Sequence, residues 1–186
     1  MVMFGNVKQL KRSHSETSFF YKKNKGEKKI MISYKIDKHH VCFPSKVLSG
    51  QVGHVLNMVI DEDTDNGTIT GIGDYVSFDQ YKTGAVPSAL GLKILEQAAD
   101  GNWYVQVTAV DVNKPAVLIY EVPIIAETYN SEFTNIANFY NKEGKTVRGY
   151  VLSVMDVFEI SADAFTGTPA DGKTVTVAGQ KLVVGA

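Results

Sequence analysis

Cysteine is almost missing from this chain: 186 residues hold one, Cys42. A single cysteine closes no intrachain disulfide, so a secreted scaffold stapled by bridges is excluded. Long hydrophobic runs are missing as well. The longest, Val55-Leu56-Asn57-Met58-Val59-Ile60, is far below the roughly 20 residues a membrane-crossing helix needs. The N-terminal charges are not followed by the apolar stretch of a secretory signal. The expected location is therefore a cytoplasm, or a particle assembled there. Proline is scarce, five residues against 16 glycines. With nine Tyr and nine Phe, that balance points to β-structure with many tight turns. At 186 residues the chain is too short for a (β/α)8 barrel, which takes roughly 250. It is long enough to bury a core without staples.

Motifs that carry chemistry are missing too. There is no G-x-S-x-G elbow and no P-loop, and Cys42 has no evident base. Gly71-Ile72-Gly73-Asp74 lacks the later glycine of a dinucleotide fingerprint. His39, His40 and Cys42 hold metal-ligand chemistry, but no second cysteine completes a structural zinc set; the reading is the lead-in to a strand. Asp61-Glu62-Asp63-Thr64-Asp65-Asn66-Gly67 has carboxylates at alternate positions. Its glycine is seventh rather than sixth, and Ile72 stands where a calcium loop needs glutamate. The preferred reading is a solvent-facing hairpin tip, with Asn66-Gly67 as a type I′ turn. Glu96, Asp100 and Asp111 read as solvated loop charges. The expectation is a protein that is not an enzyme and carries no cofactor and no metal.

What the chain does have is an uneven charge. Residues 1–40 hold ten Lys/Arg and three acids, a balance of +7. Residues 41–186 hold nine and seventeen, a balance of −8. A basic arm on an acidic body is a signal about partners, either nucleic acid or the body of a neighbouring copy. Residues 1–30 read as that irregular arm. Its lysines Lys22, Lys23, Lys25, Lys28 and Lys29 repel one another, and Phe19-Phe20-Tyr21 is its one aromatic cluster. A second reading takes Met31 as the biological start. Lys25-Gly26-Glu27 is encodable as a purine-rich ribosome-binding sequence just upstream, which would make residues 1–30 a translated leader.

Residues 31–186 read as a mainly β body. It is expected to be an elaborated barrel, or two small barrel or sandwich lobes over 31–128 and 145–186 joined by a helical segment. Candidate strands are Met31–Ile36, His54–Ile60, Thr68–Ile72, Asp74–Phe78, Leu92–Gln97, Trp103–Val110, Ala116–Pro123, Thr146–Leu152, Asp156–Ser161, Thr174–Ala178 and Lys181–Val184. One short α-helix is expected over about 130–141. There Phe133, Ile136, Ala137 and Tyr140 fall at helical spacing, between Asn130 or Ser131 as cap and Gly144 beyond the end. A weak internal echo links Asp74–Phe78 and its following Thr83-Gly84 with Asp156–Ile160 and its following Thr166-Gly167.

Large aromatic side chains are the candidate contacts. They are Phe19, Phe20 and Tyr21 in the arm, and Tyr75, Tyr81, Trp103, Tyr104, Tyr120 and Tyr150 in the body. In a strand, Trp103 and Tyr104 point to opposite faces, so one belongs to the core and the other to the surface.

Three stretches carry a resemblance. They are Ile94–Val105, with Asp100-Gly101-Asn102-Trp103; Val147-Arg148-Gly149-Tyr150 with Asp156–Ser161; and the β tail Thr166–Val184. In this layout the chain resembles the small capsid decoration (cement) or auxiliary head proteins of tailed bacteriophages. The resemblance implies a non-catalytic virion protein that binds the major capsid protein or other virion proteins, as a homo-oligomer or lattice-bound in many copies, and stabilises the lattice by contact energy alone. It has no active site to carry over. Two alternatives stand beside it. One is a carbohydrate- or receptor-binding module of a tail or baseplate, with Trp103 stacking a sugar. The other is a nucleic-acid-binding protein acting through the basic arm.

Overall fold

The computed structural model describes residues 38–123 and 135–185. Among the described residues the chain is mainly β, as expected, with one short α-helix, twelve strands and a closed barrel. The twelve strands are β1 (Cys42–Lys46), β2 (Val55–Val59), β3 (Ile69–Tyr75), β4 (Gln80–Gly84), β5 (Gly91–Gln97), β6 (Trp103–Ala109), β7 (Ala116–Ile119), β8 (Thr146–Val151), β9 (Val157–Ile160), β10 (Phe165–Thr166), β11 (Thr174–Ala178) and β12 (Lys181–Val184). Five of them close a barrel in the order β2-β4-β3-β7-β8, with β8 returning to β2. The other seven form an open sheet in the order β1-β9-β6-β5-β11-β12-β10. All barrel pairings are antiparallel except β2 with β4.

β7 explains how the two layers share a core. Its four residues, Ala116-Val117-Leu118-Ile119, are all buried. Val117 and Ile119 point into the barrel, beside Met58, Ile60 and Val147. Ala116 and Leu118 point the other way, into the cluster of Ile94, Val105, Phe158 and Ile160 from the open sheet. A strand buried on both faces reads as a continuous apolar run, which is what the sequence holds there. The barrel is narrow enough to demand glycine at one point. A Cβ on Gly149 would lie 2.5 Å from both Met58 Cγ and Val117 Cγ1.

Several expectations are corrected. The division into 31–128 and 145–186 does not follow the sheets. β8 lies in the barrel between β2 and β7, and β9 lies in the open sheet between β1 and β6. Thr68–Ile72 and the start of Asp74–Phe78 merge into one strand, β3, which ends at Tyr75, and Ser77 and Phe78 belong to the turn that follows. The echo between 74–87 and 156–169 is not a structural repeat. β3 pairs with β4, whereas β9 and β10 lie at separate places in the open sheet. Strands β4 and β10 lie outside the candidate strands, and β1 was expected only as the strand that His39-His40 leads into. Met31–Ile36 lies outside the described residues.

The expected helix over 130–141 is partly outside the described residues. Within 135–141 the chain makes a single 3-10 turn, Ile136–Asn138, capped by the Asn135 side chain. It then runs extended, because Asn141 exchanges backbone hydrogen bonds with Thr64. Tyr140, assigned to a helical core stripe, instead stacks on His39 at 5.1 Å between ring centroids. The α-helix is elsewhere. It is α1 (Leu48–Val52), which has no side-chain cap of its own and ends at Gly53 with φ +74°. Its first free N–H, on Leu48, is taken by the Asp156 carboxylate at 2.9 Å. A distant residue thus does the capping, and no local signal announces the helix.

Candidate docking site

The acidic loop Asp61–Gly67 is not a hairpin. β2 and β3, which flank it, do not pair with each other. Asp61, Glu62 and Asp63 do face solvent, but Thr64, Asn66 and Gly67 are buried. The Asn66 side chain donates to the Glu121 carbonyl, and its Oδ1 accepts from Glu121 N–H and from Asn141 Nδ2. A Cβ on Gly67 would lie 2.7 Å from Ile160 Cδ1. The Asn-Gly pair therefore serves close packing between layers. The carboxylates are engaged by protein donors. Asp61 accepts from Thr83 Oγ1, Asp63 from Glu143 N–H, and Glu62 from Gln180 Nε2. Among the described residues no group of three or more His, Cys, Asp or Glu is placed to hold a metal ion.

Asp65 is where His39 and His40 converge. His39 Nδ1 donates to Asp65 Oδ1 at 2.6 Å, and the His40 backbone N–H donates to Oδ2 at 3.2 Å. The His40 ring is 1% exposed, with Nε2 at 3.6 Å from Oδ2. Gln180 from the β11–β12 turn accepts from Asp65 N–H. This knot ties the approach to β1, the loop after β2 and the tail of the open sheet. Burial holds the His40 imidazole below its ordinary pKa of 6.5, against the pull of Asp65 and Asp163 and with the push of Lys181. Burial alone would raise the Asp65 carboxyl, but the His39 hydrogen bond and the two imidazoles outweigh it and hold it below 3.8. In both cases the unfolded chain binds more protons than the native one, so stability rises with pH. Loss is expected to begin as pH falls below about 6.5 through His40 and to deepen below about 4 through Asp65. Urea midpoints at pH 7.5, 5.5 and 3.5 should fall in that order, and Asp65→Asn should flatten the lower step. An unchanged midpoint between pH 7.5 and 5.5 would remove His40 from this account.

Cys42 is buried in the main core, and burial pushes its thiol far above the ordinary range. It is expected to stay unmodified by a thiol reagent in the native protein and to react fully in urea. Reaction at the native rate of a free thiol would contradict this placement.

The expected aromatic contacts divide. Trp103 is half-buried and packs on the main core, while Tyr104 lies on the outer face of the open sheet. Lys46 Nζ stands 5.1 Å above the Tyr104 ring, and Glu159, then Asp100 and Glu96, raise its phenol pKa. Phe19, Phe20, Tyr21, Lys22, Lys23, Lys25, Lys28 and Lys29 lie outside the described residues.

Tyr75 and Tyr81 are brought together at the outer end of the β3–β4 hairpin, edge to face with ring centroids 5.5 Å apart. Tyr81 packs on the barrel core, and Tyr75 is 61% exposed. Beyond them the turn Ser77-Phe78-Asp79-Gln80 closes with a hydrogen bond from Gln80 N–H to the Ser77 carbonyl. Phe78 and Asp79 have φ +50° and +60°. Two positive φ values in a two-residue loop are the demand of a type I′ turn, normally met by Asn or Gly. Asp tolerates that backbone; a bulky Phe is an outlier there. The Phe78 side chain is 90% exposed, and Val76 beside it is exposed too. The Tyr75 hydroxyl accepts from Asp79 N–H at 3.4 Å, steadying the tip. Phe78 and Val76 are the residues sequence reasoning missed.

Tyr120 and Tyr150 form a second edge-to-face pair, with centroids 6.0 Å apart. They line an open groove of about 360 Å³ with Phe43, Pro44 and Ser45 of β1, Val47, and Gly50 and Gln51 of α1. No lining residue is charged. Pro44 lies in β1, the edge strand of the open sheet, where its missing N–H is tolerated.

No family model, no curated protein and no solved structure matches the chain.

Proposed function

We propose that this chain is a non-catalytic structural protein that binds an assembled protein lattice in many copies, the role implied by its resemblance to phage capsid decoration proteins. The observation that carries the reading is Phe78, an aromatic ring presented to solvent on a backbone that disfavours it. Strain of this kind persists only where the surroundings hold it, and it gathers at ligand clamps and binding sites. The tip has the make-up of an interface anchor: a ring at its apex, tyrosine and valine behind it, and the charges of Asp74, Asp79 and Lys82 around it. In this reading the function is contact energy, repeated over many copies so that modest single contacts add up.

The test is co-sedimentation of the full chain with purified heads of the phage that encodes it. The expected result is a fixed copy number per capsomer, reduced by Phe78→Ala. A chain that remains wholly in the supernatant overturns the reading.

A further inference from the structure

Phe78 can supply only part of an interface. A stable protein–protein contact takes roughly 800 Å² from each side, and one aromatic side chain brings about 150–250 Å². The rest must come from surface beside the tip, and strand direction says which surface that is. In the barrel β3 ends, β4 begins, β7 begins, β8 ends and β2 begins at one mouth. The tip therefore shares that mouth with the turn before β7 and the turn after β8. Both turns repeat the anomaly of the tip. Lys114 N–H donates to the Asp111 carbonyl and closes a turn with Val112 at its corner, 85% exposed. Asp156 N–H donates to the Ser153 carbonyl and closes a turn over Val154 and Met155, both exposed. Met155 has φ +75° at the third position of its turn, the demand of a type II turn that Gly or Asn ordinarily meets. Its sulfur accepts from Gln106 Nε2 at 3.7 Å. Among the described residues, Phe78, Asp79 and Met155 are the non-glycine residues with positive φ, and all three stand at this mouth. Asp156 also holds the exposed Leu48 beside the Met155 turn, through the Leu48 N–H. Of the exposed large apolar side chains among the described residues, Leu95, Val122 and Ile136 alone lie elsewhere. The opposite mouth, where β2 ends and β8 begins, displays Asp61, Glu62, Asp63 and Glu143.

We propose that this apolar mouth, Phe78 and Val76 together with Val112, Val154, Met155 and Leu48, is the face that meets the lattice, and that its partner is a protein surface with apolar depressions for these side chains. The inference rests on the lattice-binding reading above and extends the contact from one tip to a whole mouth. A shell that seats Phe78 lies across the same mouth, so it meets the Met155 and Val112 turns as well. Asp74 and Asp79 stand exposed among these side chains, which sets an anionic membrane surface against the contact. The acidic mouth at the other end of the barrel then points to solvent, in keeping with the depletion of charge from interface centres.

Three variants of the full chain test it by titration against purified heads of the phage that encodes it, with co-sedimentation as the readout. Met155→Asn suits the φ of its turn, so the urea midpoint should hold or rise, while affinity for heads should fall about 10-fold or more. The double variant Val112→Ser with Val154→Ser, at exposed turn positions, should lose affinity by a similar factor with its midpoint unchanged. Leu95→Ser, at an exposed apolar position away from the mouth, should bind as wild type does. The unchanged midpoints separate a lost contact from a lost fold. If wild type sediments with heads and the Met155 and Val112/Val154 variants do so equally well, the inference fails and the functional reading stands on Phe78 alone. If wild type itself never sediments with heads, the reading and the inference fail together. Two further outcomes also overturn the proposal. One is self-association of wild type in sedimentation velocity that the mouth variants abolish while head binding is unchanged, which would make the occupant a second copy. The other is binding to phosphatidylcholine vesicles that the same variants abolish while head binding is unchanged, which would make the mouth a lipid-facing surface.

Discussion

Phe78→Asn should leave the protein at least as stable as it was and much poorer at binding. Asparagine accepts a positive φ far more readily than phenylalanine, and a bulky side chain in that region costs about 1–2 kcal/mol. The native ring buries almost nothing that would offset this, since it is 90% exposed. The urea midpoint is therefore expected to hold or to rise by the equivalent of about 1 kcal/mol. Binding to the assembled particle should weaken by about 2 kcal/mol or more, as for any central anchor. The two readouts moving in opposite directions is the diagnostic. A variant that loses stability while binding normally would make Phe78 a packing residue and end its role as an anchor.

Asp156→Ala should act on stability, by about 3 kcal/mol or more. The carboxylate is 4% exposed and accepts Leu48 N–H at 2.9 Å and Ser153 N–H at 2.7 Å. Hydrogen bonds to a charged group are worth roughly 1.5–3 kcal/mol each, and alanine orphans both donors. Asp156→Asn, which keeps one good acceptor, should lose roughly half as much. Denaturant unfolding measures both. An alanine variant within about 0.5 kcal/mol of wild type would show that these N–H groups find water instead.

How far the sequence could be read follows from which forces are local. β11 and β12 were expected at their observed ends, Thr174–Ala178 and Lys181–Val184, because a short β-rich pair around Ala178-Gly179 carries its own instructions. β7 was legible because burial on both faces leaves an unbroken apolar run. α1 was not, since its N-terminus is closed by Asp156 from more than a hundred residues away. The strongest hairpin dipeptide, Asn66-Gly67, was read for its turn preference and is used for packing and for a side-chain bridge to Glu121 and Asn141. The turn with two consecutive non-glycine residues at positive φ is Phe78-Asp79, which looks like the end of an alternating strand. Tyr75 and Tyr81 were named as contacts, yet the residue they support was passed over. A strained, exposed ring contradicts every local preference, and local preference is all that pattern reading has. The groove was out of reach for another reason: its walls come from β1, α1, Tyr120 and Tyr150, which only the closed barrel brings together.

The closure of that barrel also bears on when the chain can fold. β2 cannot complete its ladder until β8 arrives, since Val55 pairs with Tyr150 and Val59 with Thr146. In the open sheet β1 must wait for β9, because Cys42 pairs with Ile160. Neither layer is finished while the ribosome still holds the last quarter of the chain. Such distant pairings are slow to form, and the early strands meanwhile expose unpaired edges. A nascent chain of this protein is thus expected to remain protease-sensitive until residues past Ile160 have emerged, and then to become resistant as both layers close around β7.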